Sequence, residues 1–159
     1  MQQFGDLPLA LAVLLMLLLA SYMALYPAIA ALILHRLGRT FGTGALLFAP
    51  AAWVTTELGR AHLFTGFPWV LLGYSQATVL PLAQLASVFG VYGLSALLVL
   101  VNASLAWLVL SRSARLRPLL VSLAVVVVVA AWGAARLREG SLVRAGTPLE
   151  VALVQGNIA

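Results

Sequence analysis

Four long apolar runs separated by short polar gaps make up most of this chain. The first covers residues 7–34, about 28 residues or ~42 Å as a helix, which exceeds a hydrocarbon core of ~30 Å. It must therefore tilt or bend. Pro27 lies inside it and has no N–H to give the preceding turn, so a kink is expected near Ala24 to Pro27. The second run covers residues 43–62, with Pro50 in its first half and Glu57 and Arg60 in its last turns. The third covers residues 82–110, with Pro81 placed for a first helical turn. The fourth covers residues 118–135 and is dense in valine. Valine favours strands in water, but a lone strand in lipid leaves its backbone unpaired, so all the runs are read as helices.

Between the second and third runs, Phe64 to Leu80 is too short and too interrupted to cross twice. Gly66, Pro68 and Gly73 break it, and Phe67, Trp69 and Tyr74 are types that favour a membrane–water interface. A surface loop or short re-entrant turn is expected. After the fourth run, residues 136–148 turn polar, with Gly140 and Gly146, and read as a linker. Residues 149–159 read as a β-strand ending at a Gly-Asn turn, and one strand is not stable alone. The fold class is thus an all-α membrane protein. A bundle of about four transmembrane helices carries an outward interfacial loop and ends in a single C-terminal β-strand.

Composition supports the membrane assignment. Apolar residues make up 64% of the chain and charged residues 8%, with a mean hydropathy of +1.10. Soluble domains run nearer ~50% apolar and ~25% charged. The net charge of +5 comes from arginine alone, since no lysine is present. Those arginines sit in the gaps between apolar runs, where topology and lipid headgroups explain them better than nucleic acid does. There is no cysteine, which excludes disulfides, thiolate catalysis and thiolate-bound metal. His35 and His62 lie near helix ends without a second ligand at metal-site spacing, so no metal site is expected.

Charge asymmetry sets an orientation. Arg36 and Arg39 follow the first run, and Arg112, Arg115 and Arg117 follow the third, whereas the loop between has only Arg60 at its edge. The positive-inside rule places the two arginine-rich loops in the cytoplasm. The N-terminus, the Gly66–Trp69 turn and the C-terminal end then face outward. Arg136, Arg138 and Arg144 oppose this, but charge in a tail weighs less than charge in short loops.

The segment from Glu57 to Gln76 concentrates the candidate chemistry. Glu57 and Arg60 share a helix face at i,i+3 and can pair. They serve either as a polar anchor for a lipid headgroup or as an ion pair closing a helix end; the sequence leaves both open. Gly66, Phe67, Pro68 and Trp69 combine a permissive φ, an extended residue and a fixed φ. They form either a wall for acyl chains or an interfacial turn with an aromatic anchor. Tyr74, Ser75 and Gln76 are placed to hydrogen-bond a headgroup or to cap the loop. Asn102 is expected to donate to a neighbouring helix. Trp53 reads as a packing residue, and Ser95 lacks the His and Asp that would make it a nucleophile.

In their combined order these motifs resemble the apolipoprotein N-acyltransferase family of bacterial inner membranes. The similarity begins at Tyr22-Met23-Ala24-Leu25-Tyr26 and strengthens over Ala49 to Arg60. It peaks at Thr65-Gly66-Phe67-Pro68-Trp69 and Leu72-Gly73-Tyr74-Ser75-Gln76, continues through Gly90-Val91-Tyr92-Gly93 and Asn102, and ends at Val154-Gln155-Gly156-Asn157-Ile158. The resemblance implies transfer of an acyl chain from a phospholipid donor to the N-terminal amine of a diacylated lipoprotein. That chemistry runs through a thioester on a cysteine, helped by a Glu and a Lys in a nitrilase-like domain outside the membrane. No cofactor is implied. Cys and Lys are both absent here, so the expectation is an incomplete piece of the enzyme with no catalytic residue, its strand at 149–159 opening the nitrilase-like domain on the periplasmic side. Glu57, Arg60, Gly66, Phe67, Pro68, Trp69, Tyr74 and Gln76 are its candidate substrate-binding residues. The competing reading is a small non-enzymatic membrane protein, a scaffold or a transporter subunit. A transporter should carry charges near mid-bilayer or paired broken helices, whereas these charges lie near helix ends.

Overall fold

In a computed structural model the described residues are 8–63, 66–111, 116–140 and 151–152. Every regular element among them is helical: α1 (Leu9–Phe41), a 3-10 turn (Gly42–Phe48), α2 (Ala49–His62), a second 3-10 turn (Leu72–Gln76), α3 (Leu80–Ala83), α4 (Ala86–Leu110) and α5 (Arg117–Glu139). Three helical stretches are long and apolar enough to cross a membrane: Leu9–His62 taken through its turn, Ala86–Leu110 and Arg117–Glu139.

α1 runs through Pro27 and past the expected end at Leu34, so Arg36 and Arg39 lie in its last turns instead of in a loop. The chain reverses at Gly42, whose φ of 57° and ψ of −136° fall in a region that a side chain disfavours. The 3-10 turn and α2 then return along α1, and Pro50 sits in the first turn of α2, where its missing N–H leaves no bond unmade. The third expected helix is divided. Pro81 opens the short α3, and α4 carries a non-helical glycine, Gly90, with φ 63° and ψ −171°. α5 continues beyond Ala135 to Glu139, so the first residues read as linker are helical. Gly140 ends it in the left-handed conformation. The strand expected over 149–159 lies outside the described residues except for Val151 and Ala152, which have no regular structure.

The helices pack through small side chains. Ala30, Ala45, Ala49, Ala52 and Ala103 are buried, and Ser95 and Ser122 are completely so, while Leu14, Leu17, Leu18, Val127 and Val128 face outward. Lipid tails are as apolar as leucine, so burying leucine gains little, whereas small residues let backbones approach closely. α2 packs on α1 and α4, and α5 packs on α3 and α4. Gly133 shows how close the last contact is: any Cβ there would be driven into the Pro81 carbonyl. Arg136 fastens the same junction, donating to Ser87 Oγ and lying 5.3 Å from the Trp132 ring centroid.

Candidate functional site

The loop after α2 is folded back along the helix it leaves. Gly66, with φ +82°, lies so near the Ala61 carbonyl that only glycine fits. Its N–H bonds to the Leu63 carbonyl at 3.0 Å, and the Phe67 N–H bonds to the Arg60 carbonyl at 2.9 Å. Two carbonyls at the end of α2 are thereby satisfied. Further on, the Leu72 N–H donates to Glu57 Oε1 at 2.8 Å, and Arg60 Nη2 donates to the Val70 carbonyl at 3.4 Å. The loop then passes to α4. The Gly73 N–H donates to Ser95 Oγ at 2.9 Å, and an added Cβ at Gly73 would meet the Val91 carbonyl and stand 2.9 Å from Leu94 Cβ.

Glu57 and Arg60 are buried, at 4% and 7% exposure, and of the two readings left open the ion pair is not formed. Each has a better-placed partner. Glu57 Oε1 also accepts from Trp53 Nε1 one turn earlier, at 3.0 Å. The Arg60 guanidinium lies 6.0 Å from the Tyr26 ring centroid on α1, and its Nη1 is 4.0 Å from Met23 Sδ. A cation over an aromatic face in a poorly solvated place is a stabilising arrangement. Tyr26 is itself set by Tyr22, whose hydroxyl lies 2.7 Å away with the rings edge to face. Glu57 Oε2 and Arg60 Nε have no hydrogen-bond partner among the described residues.

These groups line a cavity of about 540 Å³ between α1, α2 and the loop. Its wall is polar at Glu57, Arg60, Thr56 and Tyr26 and apolar at Met23, Leu71 and Leu72. Of the candidate residues, Glu57, Arg60 and Tyr74 line it. Gly66, Phe67, Pro68 and Trp69 do not; they build the turn beside it. Phe67 and Trp69 stack with centroids 5.1 Å apart and planes 22° apart, and Trp69 is 66% exposed. Gln76 faces a separate apolar cavity near Leu94 and Asn102 and donates to Ser75 Oγ. Asn102 donates to the Leu98 carbonyl of its own helix, not to a neighbour.

Sequence reasoning missed Tyr26, Trp53 and Ser95. Tyr22 and Tyr26, and likewise Trp53 and Glu57, are spaced i,i+4, and that signal could have joined them. Nothing local marks Ser95 as the partner of Gly73. A mostly apolar cavity of about 580 Å³ lies between α2, α4 and α5, lined by Val54, Phe89, Tyr92, Leu97 and Val125 among others. Among the described residues no cluster of His, Cys, Asp or Glu could hold a metal ion.

These helices and this site make the chain an integral membrane protein, a bundle of apolar helices whose buried charges gather beside the loop after α2. The chain belongs to the apolipoprotein N-acyltransferase family: residues 1–104 match the family's N-terminal domain. It is 42% identical over 163 residues to the apolipoprotein N-acyltransferase of Geobacter metallireducens, covering 98% of this chain and 30% of that one. To the Shewanella oneidensis protein of the same name it is 45% identical over 161 residues, covering 99% and 30%. To that of Nitrosomonas europaea it is 47% identical over 109 residues, covering 68% and 21%. The chain thus spans about 30% of the length of the first two relatives. No solved structure matches it.

Proposed function

We propose that this chain is the membrane-embedded part of a lipoprotein N-acyltransferase, and that the loop after α2 and the cavity beside it are where the phospholipid donor meets the enzyme. One observation carries the reading. The cavity has a polar wall built from Glu57, Arg60 and Tyr26 and an apolar wall built from Met23 and Leu71, so it suits an amphiphile. The stacked Phe67 and Trp69 beside it offer an aromatic surface at the height where headgroup gives way to acyl chain. Gly66 and Pro68 fix that turn, and Tyr74 and Gln76 flank it. The acyl-carrying thiolate comes from elsewhere in the whole enzyme, because no Cys or Lys is present in this chain. Alone, the chain is predicted to transfer no acyl group to the amine of a diacylated lipoprotein.

In this reading the enzyme sits in the bacterial inner membrane. The chain crosses about four times, with the leg Gly42–His62 as the second crossing. Arg36, Arg39, Arg112, Arg115 and Arg117 face the cytoplasm, Trp69 and Gln155 face the periplasm, and residues 149–159 lead into a nitrilase-like domain. The absence of Cys makes topology direct to test: cysteines placed singly at Ser75 and Ser113 should label from outside only at Ser75. The functional test is Trp69→Ala in a full-length enzyme carrying this segment. Thioester formation per folded molecule should fall by about tenfold or more if the loop positions the donor. Normal thioester formation would reduce Trp69 to an interfacial anchor.

A further inference from the structure

Val70 is the one non-glycine residue with positive φ among the described residues, at 53°. A β-branched side chain meets steric conflict in that region, and such a conformation persists only where the surroundings over-determine it. Its own side chain is not what holds it, since Val70 is 79% exposed. The residues on either side are held instead. Arg60 Nη2 donates to the Val70 carbonyl, Leu71 is buried at 3% exposure, and Glu57 Oε1 accepts from the Leu72 N–H. Both holding side chains come from one face of α2. Both are more than nine-tenths buried, and neither is spent on the other.

We infer that Glu57 and Arg60 are positioning residues that clamp the backbone on both sides of Val70, hold it in the left-handed conformation, and so turn Trp69 and Val70 out of the bundle as an apolar tip. Without the clamp, Val70 relaxes towards the extended region, and the strand of loop from Phe67 to Leu72 peels from α2. The geometry explains why two charged side chains at helix spacing i,i+3 are buried without pairing. Each is occupied by the loop on one side and by an aromatic group on the other, Trp53 for Glu57 and Tyr26 for Arg60. The role of Glu57 here is to accept hydrogen bonds, which its amide can do as well as its carboxylate. A site that used Glu57 as a charge for a ligand would not tolerate that exchange.

The test is amide hydrogen exchange on the whole chain in lipid nanodiscs, comparing the segment 67–76 with α4 as an internal measure of folding. Arg60→Ala should speed exchange in 67–76 by about tenfold or more while α4 is unchanged. Adding Val70→Gly to Arg60→Ala should restore most of the protection, because glycine adopts positive φ without conflict. Glu57→Gln should leave the segment protected, and Glu57→Ala should not. The inference is overturned if Arg60→Ala leaves the loop as protected as before, or if Val70→Gly restores nothing. Should Arg60→Ala fail to fold, the Glu57 pair decides: equal loss with Gln and Ala sinks the clamp. No arm measures acyl transfer, so its failure leaves the functional reading above untouched, and failure of that reading leaves the clamp untouched.

Discussion

Between Leu9 and Leu19, α1 turns large side chains outward in all directions; Leu9, Leu14 and Leu18 are 61%, 52% and 58% exposed. At the end of α2 the arrangement is reversed, with Glu57 and Arg60 buried and the neighbouring loop tied down at Phe67, Val70, Leu72 and Gly73. The first region needs only to be apolar and helical. Its backbone is satisfied within the segment and its side chains meet lipid, so one leucine is as good as another. The second region has polar groups removed from water, and each must find a partner at a definite distance. Substitutions should therefore be nearly silent in the first region and severe in the second.

Glu57→Ala should produce the largest effect. It strips the acceptor from Trp53 Nε1 and from the Leu72 N–H, and leaving two poorly solvated donors without partners should cost about 2–4 kcal/mol. Thermal unfolding in detergent micelles, followed by circular dichroism, would measure it. A loss no greater than that of a lipid-facing leucine would dissolve the contrast between the regions.

Gly73→Ala comes next. The methyl group would press on Leu94 and the Val91 carbonyl, and overpacking of this kind should cost about 1–3 kcal/mol. The same unfolding assay applies, and an unchanged midpoint would mean that the loop does not sit against α4. Ser95→Ala should be milder, about 1 kcal/mol, because it removes one hydrogen bond to the Gly73 N–H without adding bulk. Measured in the Gly73→Ala background, its effect should shrink, since the loop is already displaced there.

Leu17→Ala marks the lower end. It faces outward from α1 at 54% exposure and should shift stability by no more than about 0.5 kcal/mol. A large loss at Leu17 would point to a protein neighbour instead of lipid on that face, and would sharpen the comparison by confining the silent region to other turns of α1.

Much of the fold was legible in advance because the bilayer acts locally. Long apolar runs in a chain of this composition have to be helices, and the interruptions at Gly66, Pro68 and Gly73 marked where the crossing pattern fails. Helix ends were less legible. Arg36, Arg39, Arg136 and Arg138 look like loop residues by polarity, yet each continues a helix, because a helix leaving the hydrocarbon still gains from its own hydrogen bonds. Proline position was informative at Pro81, placed for a first helical turn and found in one, whereas Pro50, read as inside the second run, in fact opens α2.

Local patterns along the chain are enough to make it a helical membrane protein of the apolipoprotein N-acyltransferase family and to place its unusual chemistry between Glu57 and Gln76. Those conclusions rest on properties that act over a few residues or are carried by motif order. What Glu57 and Arg60 do follows instead from how distant segments pack. Helix spacing put them within reach of each other, but a side chain bonds to whichever partner its surroundings bring closest. The sharp return at Gly66 brought the Val70 carbonyl and the Leu72 N–H alongside, and the return of α2 along α1 brought Tyr26. The choice between an ion pair and two separate tethers depends on contacts between distant segments, and no local pattern encodes it.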